Sequence, residues 1–139
     1  MPVGWEARSI LETEPNVWLF DGQTPDTFGK AYISSSIVSN GATYDSTAGG
    51  NLLLLSDLIN AKGFADITIS FDWQAGGETD QVDSESYFDY GTFVYSYDGI
   101  NFTSMANFAG AASGAAPSSG NYNKAIAALD DAQFYLGWR

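Results

Sequence analysis

The chain has 139 residues, a length that suits one domain, and 45% of them are hydrophobic, which excludes global disorder. Only five Lys and Arg oppose 17 Asp and Glu, and this net charge of −12 excludes a nucleic-acid binder and disfavours an anionic membrane surface, because both need clustered cations. The absence of His and Cys excludes Ser-His-Asp and Cys-His catalysis and the usual zinc sites, which leaves carboxylate chemistry, oxygen-ligated metals such as calcium, or binding without catalysis.

Short β-strands are predicted along most of the chain, because apolar and polar residues alternate between turns rich in Gly, Asp and Asn. In chain order, these strands are predicted at 16–20, 31–38, 51–56, 66–74, 90–97, 100–106 and 133–139. The longest apolar run, at 52–55, is far shorter than the roughly 20 residues of a transmembrane helix. No membrane insertion is therefore expected, and no signal peptide is recognisable.

The strand at 66–74 shows the clearest pattern. Ile67, Ile69, Phe71 and Trp73 share one face, and polar residues that include Asp72 occupy the other face. This period of two is typical of a half-buried strand in an antiparallel sheet.

The strand at 90–97 is expected to form a hairpin. It ends at Asp98-Gly99, a dipeptide that is typical of hairpin turns, and the chain returns as the strand at 100–106. The last strand, at 133–139, includes the final residue, so we expect the chain to be a piece cut from a longer protein.

Two segments are predicted to be loops: the acidic and polar segment 76–87, and the segment 109–123, which is rich in Gly, Ala and Ser. Between the second loop and the last strand, residues 123–132 predict a short helix. Asn123 is its expected cap, and Ile126 and Leu129 are expected to face the core.

Seven or so short strands predict an all-β fold, an antiparallel β-sandwich that forms a single module over 1–139. A jelly-roll topology is expected, although periodicity alone does not separate it from immunoglobulin-like wiring.

Carboxylates concentrate at 78–89, in the predicted loop and directly after it, before the hairpin. They are Glu78, Asp80, Asp83, Glu85 and Asp89. Close carboxylates repel one another unless water, protons or a cation separate them, and calcium takes 6–8 oxygen ligands from flexible loops. The spacing does not fit an EF-hand, so the loop is either simply solvated or a calcium site.

A catalytic interpretation of the same loop is the alternative. The segment 78–83 approximates the E-x-D-x-x-E pattern of laminarinase-type glucanases, which are also β-sandwiches. A retaining glycosidase needs two carboxyls about 5–5.5 Å apart, and Glu78 with Asp80 or Asp83 would supply them. The flanking residues lack the apolar alternation of a concave-sheet strand, so the binding interpretation is preferred.

Four residues are candidates for contacting a ligand: Tyr87, Tyr90, Asp72 and Gln74. The two tyrosines lie beside the acidic loop, where an exposed ring could stack on a sugar. Asp72 and Gln74 lie on the polar face of the strand at 66–74, where they meet either a ligand or water.

In its motifs and their order the chain resembles the bacterial MAM-like jelly-roll modules known as choice-of-anchor J domains, relatives of the cleaved adhesin domains. The motifs are P-V-G-W at 2–5, N-V-W at 16–18, Y-I-S-S at 32–35, L-L-S-D-L-I at 54–59, T-I-S-F-D-W at 68–73, Y-S-Y-D-G-I-N-F at 95–102 and F-Y-L-G-W-R at 134–139. The family's acidic first strand and its last strand are missing, so this resemblance implies a module that is clipped at both ends. A metal site formed by those termini is not carried over.

The resemblance implies a non-catalytic accessory module of an exported, multidomain bacterial protein, located outside the cell or on its surface. Its expected role is adhesion or the binding of a glycan or protein. Its expected partners are that ligand and the neighbouring domains of the parent protein. A purely structural spacer is the remaining alternative.

Overall fold

A computed structural model describes residues 4–9, 15–21, 30–35, 50–76, 90–109 and 117–139. Nearly all of the regular structure in these residues is β-strand. In chain order, the strands are β1 (Glu6–Ser9), β2 (Val17–Asp21), β3 (Lys30–Ser34), β4 (Leu52–Leu55), β5 (Ile59–Asn60), β6 (Thr68–Ala75), β7 (Tyr90–Ser96), β8 (Thr103–Ala109), β9 (Ser118–Ala125) and β10 (Gln133–Trp138). The chain divides into two compact units. The first unit is Met1–Asp57 together with Gly137–Arg139, and the second unit is Leu58–Leu136.

In the first unit, β4 is the central strand. It pairs with β1 in antiparallel register, and its Leu54 and Leu55 pair with Trp138 and Gly137. All four leucines of β4 are buried, so both faces of this strand are covered, and a continuous apolar run replaces the alternation of a half-exposed strand. Strands β2 and β3 form a separate antiparallel pair.

In the described residues of the second unit, two antiparallel sheets pack face to face. One sheet is the β6–β9 ribbon, in which all eight residues of each strand are paired. The other contains the β7–β8 hairpin, with β10 beside β7 and β5 paired to β10. Aromatic rings join the two sheets: Phe71 of β6 meets Phe93 of β7 edge-on at 4.8 Å between ring centroids. The prediction of an all-β antiparallel sandwich is therefore confirmed, and the jelly-roll wiring stays a prediction.

The prediction of a loop at 109–123 is wrong from Ser118 onward, where strand β9 begins. The predicted helix at 123–132 is also wrong, because β9 continues to Ala125 and only a single 3-10 turn, Ala127–Leu129, follows it. Pairing with β6 supplies the backbone hydrogen bonds that an isolated helix would have to make internally. One part of the prediction holds, since Leu129 is fully buried.

Gly120 of β9 lies against an aromatic side chain of β6. A Cβ atom at this position would lie 3.2 Å from the indole ring of Trp73, its cross-strand partner. A side chain at position 120 would therefore crowd the ring, and glycine leaves room for it.

The other strands are confirmed with shifted ends, and the return strand of the hairpin begins later than predicted. It starts at Thr103, so residues 97–102 form a longer connection than the two-residue turn expected. Strands β1 and β5 were not predicted, because β1 is exposed along its whole length and β5 has only two residues.

Candidate functional site

The outer face of the β6–β9 ribbon carries a continuous row of hydrogen-bonding side chains, which we call the polar strip. Its members are exposed and come from alternate positions of both strands, facing away from the aromatic interior. They comprise three hydroxyls, three carboxamides and one carboxylate: Thr68, Ser70 and Ser119; Gln74, Asn121 and Asn123; and Asp72.

Asp72 and Asn121 form the centre of the polar strip. They are cross-strand partners, and the Asn121 amide Nδ2 donates a hydrogen bond to Asp72 Oδ1 at 2.8 Å. A carboxylate can accept about four hydrogen bonds, so Asp72 keeps most of its acceptor capacity for another molecule. The bond to Asn121 fixes the orientation of the carboxylate before any ligand arrives.

The opposite face of the same ribbon is an aromatic layer. Phe71 stacks on Tyr122 with 5.0 Å between ring centroids, and Trp73 lies 4.9 Å from Phe108. Tyr122 also meets Phe93 edge-on at 5.3 Å. These ring contacts hold the backbone of both strands in place beneath the polar strip, so a ligand would have to order side chains but not the backbone.

The residue types of the polar strip are unusual for the middle of a strand. Asn, Asp and Gly are depleted in β-strands, yet the ribbon holds Asp72, Asn121 and Asn123 on its outer face and Gly120 on its inner face. Where the secondary-structure propensity of a residue conflicts with the structure it adopts, a functional reason for that residue is expected.

The structure separates the predicted ligand-contacting residues. Asp72 and Gln74 both belong to the polar strip. Tyr90 is exposed on the outer face of the β7–β8 hairpin, on the other side of the sandwich, because its neighbour Gly91 pairs with the inward-facing Phe108. Tyr87 lies outside the described residues, as do the predicted calcium ligands and catalytic candidates Glu78, Asp80, Asp83, Glu85 and Asp89.

The sequence gives a signal for the residues that were missed. Ser119, Asn121 and Asn123 alternate with Gly120 and Tyr122, a period of two that places the polar residues on one face and the aromatic ring on the other. Low strand propensity concealed this pattern inside a predicted loop.

A second concentration of polar contacts organises the connection between β7 and β8. The Asp98 carboxylate accepts hydrogen bonds from the backbone and side-chain amides of Asn101, from the Ile100 N–H and from the Ser96 hydroxyl, at 2.7–2.9 Å. These bonds, those from Asn101 foremost, hold the pKa of Asp98 well below its usual range. Every donor belongs to the turn or to Ser96, the last residue of β7, so this carboxylate is part of the turn's structure.

We expect Asp98→Ala to destabilise the protein at neutral pH and to lose its effect in acid. A depressed pKa in the folded state means that the contribution of Asp98 is fully present above its unfolded pKa, near 3.9, and declines as the pH falls further. The stability difference between the parent and Asp98→Ala should therefore be constant from pH 7 to about pH 4 and shrink below that. Urea unfolding at a series of pH values measures it.

Asp98→Asn is the matched control for that prediction. It keeps one acceptor oxygen and loses the charge, so its stability should lie between those of the parent and the alanine variant at pH 7. An Asp98→Ala deficit of the same size at pH 2.5 and pH 7 would contradict the assignment.

Within the described parts of the chain, no group of three or more acidic side chains is placed to hold a metal ion. In the same residues, no helix has the length and apolarity needed to cross a membrane. Comparison with protein-family models, with curated proteins and with solved structures finds no match to this chain.

Proposed function

We propose that the chain is a non-catalytic binding module that recognises a glycan through the polar strip on the outer face of the β6–β9 ribbon. In this proposal it is an accessory part of a larger exported protein and acts outside the cell or on its surface. The resemblance to choice-of-anchor J and cleaved adhesin modules is consistent with this role.

One observation carries the proposal: seven hydrogen-bonding side chains share one exposed, rigidly supported sheet face, with the oriented carboxylate of Asp72 at its centre. Each sugar hydroxyl both donates and accepts a hydrogen bond. A face that mixes amide donors, hydroxyls and a carboxylate acceptor matches that chemistry. Hydrogen bonds to a charged group are stronger than those between neutral groups, so Asp72 is expected to contribute most.

The test uses a glycan array followed by titration of each glycan that binds, with calcium and with EDTA. A dependence on calcium would support the predicted site at Glu78, Asp80, Asp83, Glu85 and Asp89, and calcium-independent binding would point to the polar strip alone. Failure of every glycan to bind in both conditions would reject the glycan-binding proposal and favour a structural spacer.

Asp72→Ala is expected to weaken glycan binding by at least about tenfold, because it removes hydrogen bonds to a charged acceptor worth roughly 1.5–3 kcal/mol each. Thr92→Ala is its matched control, since Thr92 makes a similar exposed cross-strand bond to Asn107 at 3.0 Å, on the other side of the sandwich. Isothermal titration calorimetry compares them. Equal losses in both variants, or unchanged affinity in Asp72→Ala, would reject the polar strip as the site.

A further inference from the structure

We propose that the polar strip selects linear, neutral polysaccharide chains that lie along the strands, rather than single sugars or acidic glycans. This inference rests on the proposed glycan-binding function and specifies the class of ligand.

The shape of the polar strip is the first argument. Outward side chains on a strand recur every two residues, about 6.8 Å apart, so Thr68 to Gln74 covers about 20 Å along β6. Across the strands, the strip is two chains wide in the described residues, with about 5 Å between these chains. A site this long and narrow offers a single sugar ring only a fraction of its hydrogen-bonding groups. An extended chain of several rings can use them together.

The distribution of donors and acceptors supports the same orientation. The outward side chains of β6 are, in order, two hydroxyls, a carboxylate and an amide. Those of β9 are a hydroxyl followed by two amides. Hydrogen-bonding groups therefore recur at a regular interval with no apolar side chain between them on β6. A polymer of repeating units presents its hydroxyls at regular intervals too, so several of its rings meet similar partners.

Charge is the argument for a neutral ligand. Asp72 is the only ionisable side chain among the seven, and Lys124, the cation of β9, pairs with Ile69 on the other face of the ribbon. The chain as a whole carries a net charge of −12. Uronate, sulfate or sialate groups would meet a carboxylate with no cation on the polar strip to pair with them, which disfavours acidic glycans.

The experiment is a calorimetric titration of the 139-residue chain with neutral linear oligosaccharides of one to six rings, from the xylo-, cello-, laminari-, manno- and chito-series. For the series that binds, we expect affinity to rise with each added ring, by at least about tenfold between the disaccharide and the hexasaccharide. Alginate and heparin oligosaccharides of matched length are expected to bind at least about tenfold more weakly than the best neutral hexasaccharide.

The outcomes separate this inference from the proposed function. If a monosaccharide binds as tightly as the hexasaccharide, or an acidic oligosaccharide binds more tightly than every neutral one, and Asp72→Ala abolishes that binding, then the inference is wrong and the glycan site stands. If no saccharide of any length or charge binds, both are wrong. A rise in affinity with length that Asp72→Ala removes, and Thr92→Ala does not, supports both.

Discussion

Replacement of Phe93 by Ala is expected to lower the free energy of unfolding of the second unit by about 3–5 kcal/mol, the range measured when a buried aromatic ring is truncated. Phe93 has 0% exposed surface, and its ring contacts Phe71 and Tyr122 of the facing sheet edge-on. Truncation would leave a cavity between the two sheets. It would also remove both ring contacts, each of which stabilises the fold beyond what the burial of apolar area contributes.

Phe64→Ala is the matched control, because its ring is 65% exposed and buries little apolar area. Its stability should change by less than about 1 kcal/mol. Urea unfolding followed by tryptophan fluorescence and by far-UV circular dichroism gives both values, provided that the two probes coincide. Equal losses in the two variants would mean that the aromatic layer does not hold the sheets together.

The second large effect is expected from Gly4→Ala in the first unit. Gly4 has φ +85°, a conformation that costs a residue with a side chain about 1–2 kcal/mol. An added Cβ would also lie 2.9 Å from both Cβ and Oδ2 of Asp57, and such overpacking typically costs a further about 1–3 kcal/mol. The variant should therefore lose more stability than backbone strain alone explains.

Gly63→Ala separates the cost of backbone strain from the cost of overpacking. Gly63 has nearly the same backbone angle, φ +83°, and a Cβ there would have no atom within 4 Å. It should lose only the conformational part, so Gly4→Ala is expected to be the more damaging by at least about 1 kcal/mol. Thermal and urea unfolding of both variants measure this difference. Equal losses in the two variants would show that the contact with Asp57 relaxes at no cost.

The sequence predicted those strands whose pattern is local. β6 alternates between aromatic or branched residues and polar ones, and this pattern alone is enough to place its two faces correctly. β9 has no such advantage, since Ser, Gly and Asn favour turns, and it becomes a strand only because β6 offers a complete set of backbone partners. Tertiary pairing of this kind is invisible in a window of a few residues.

For the same reason, only the β6 half of the candidate site could be predicted from the sequence. Asp72 and Gln74 could be assigned to the polar face of a strand from β6 alone. Their partners Asn121 and Ser119 come from β9, and the register that places them opposite one another is a property of the folded ribbon. Grouping Tyr90 with Asp72 followed proximity to the acidic loop in the sequence, whereas the sandwich assigns them to opposite sides.

The pairing of β6 with β9 also determines when the polar strip can form during folding. Asp72 and Asn121, whose bond centres the polar strip, are 49 residues apart in the chain. Closing so long a loop is slow compared with forming the β7–β8 hairpin, where Thr92 and Asn107 are 15 residues apart. Neither β6 nor β9 alone carries the complete set of groups, so a chain in which only the hairpin has formed has no polar strip. The proposed glycan site is thus expected to form late in folding, once the second unit has closed.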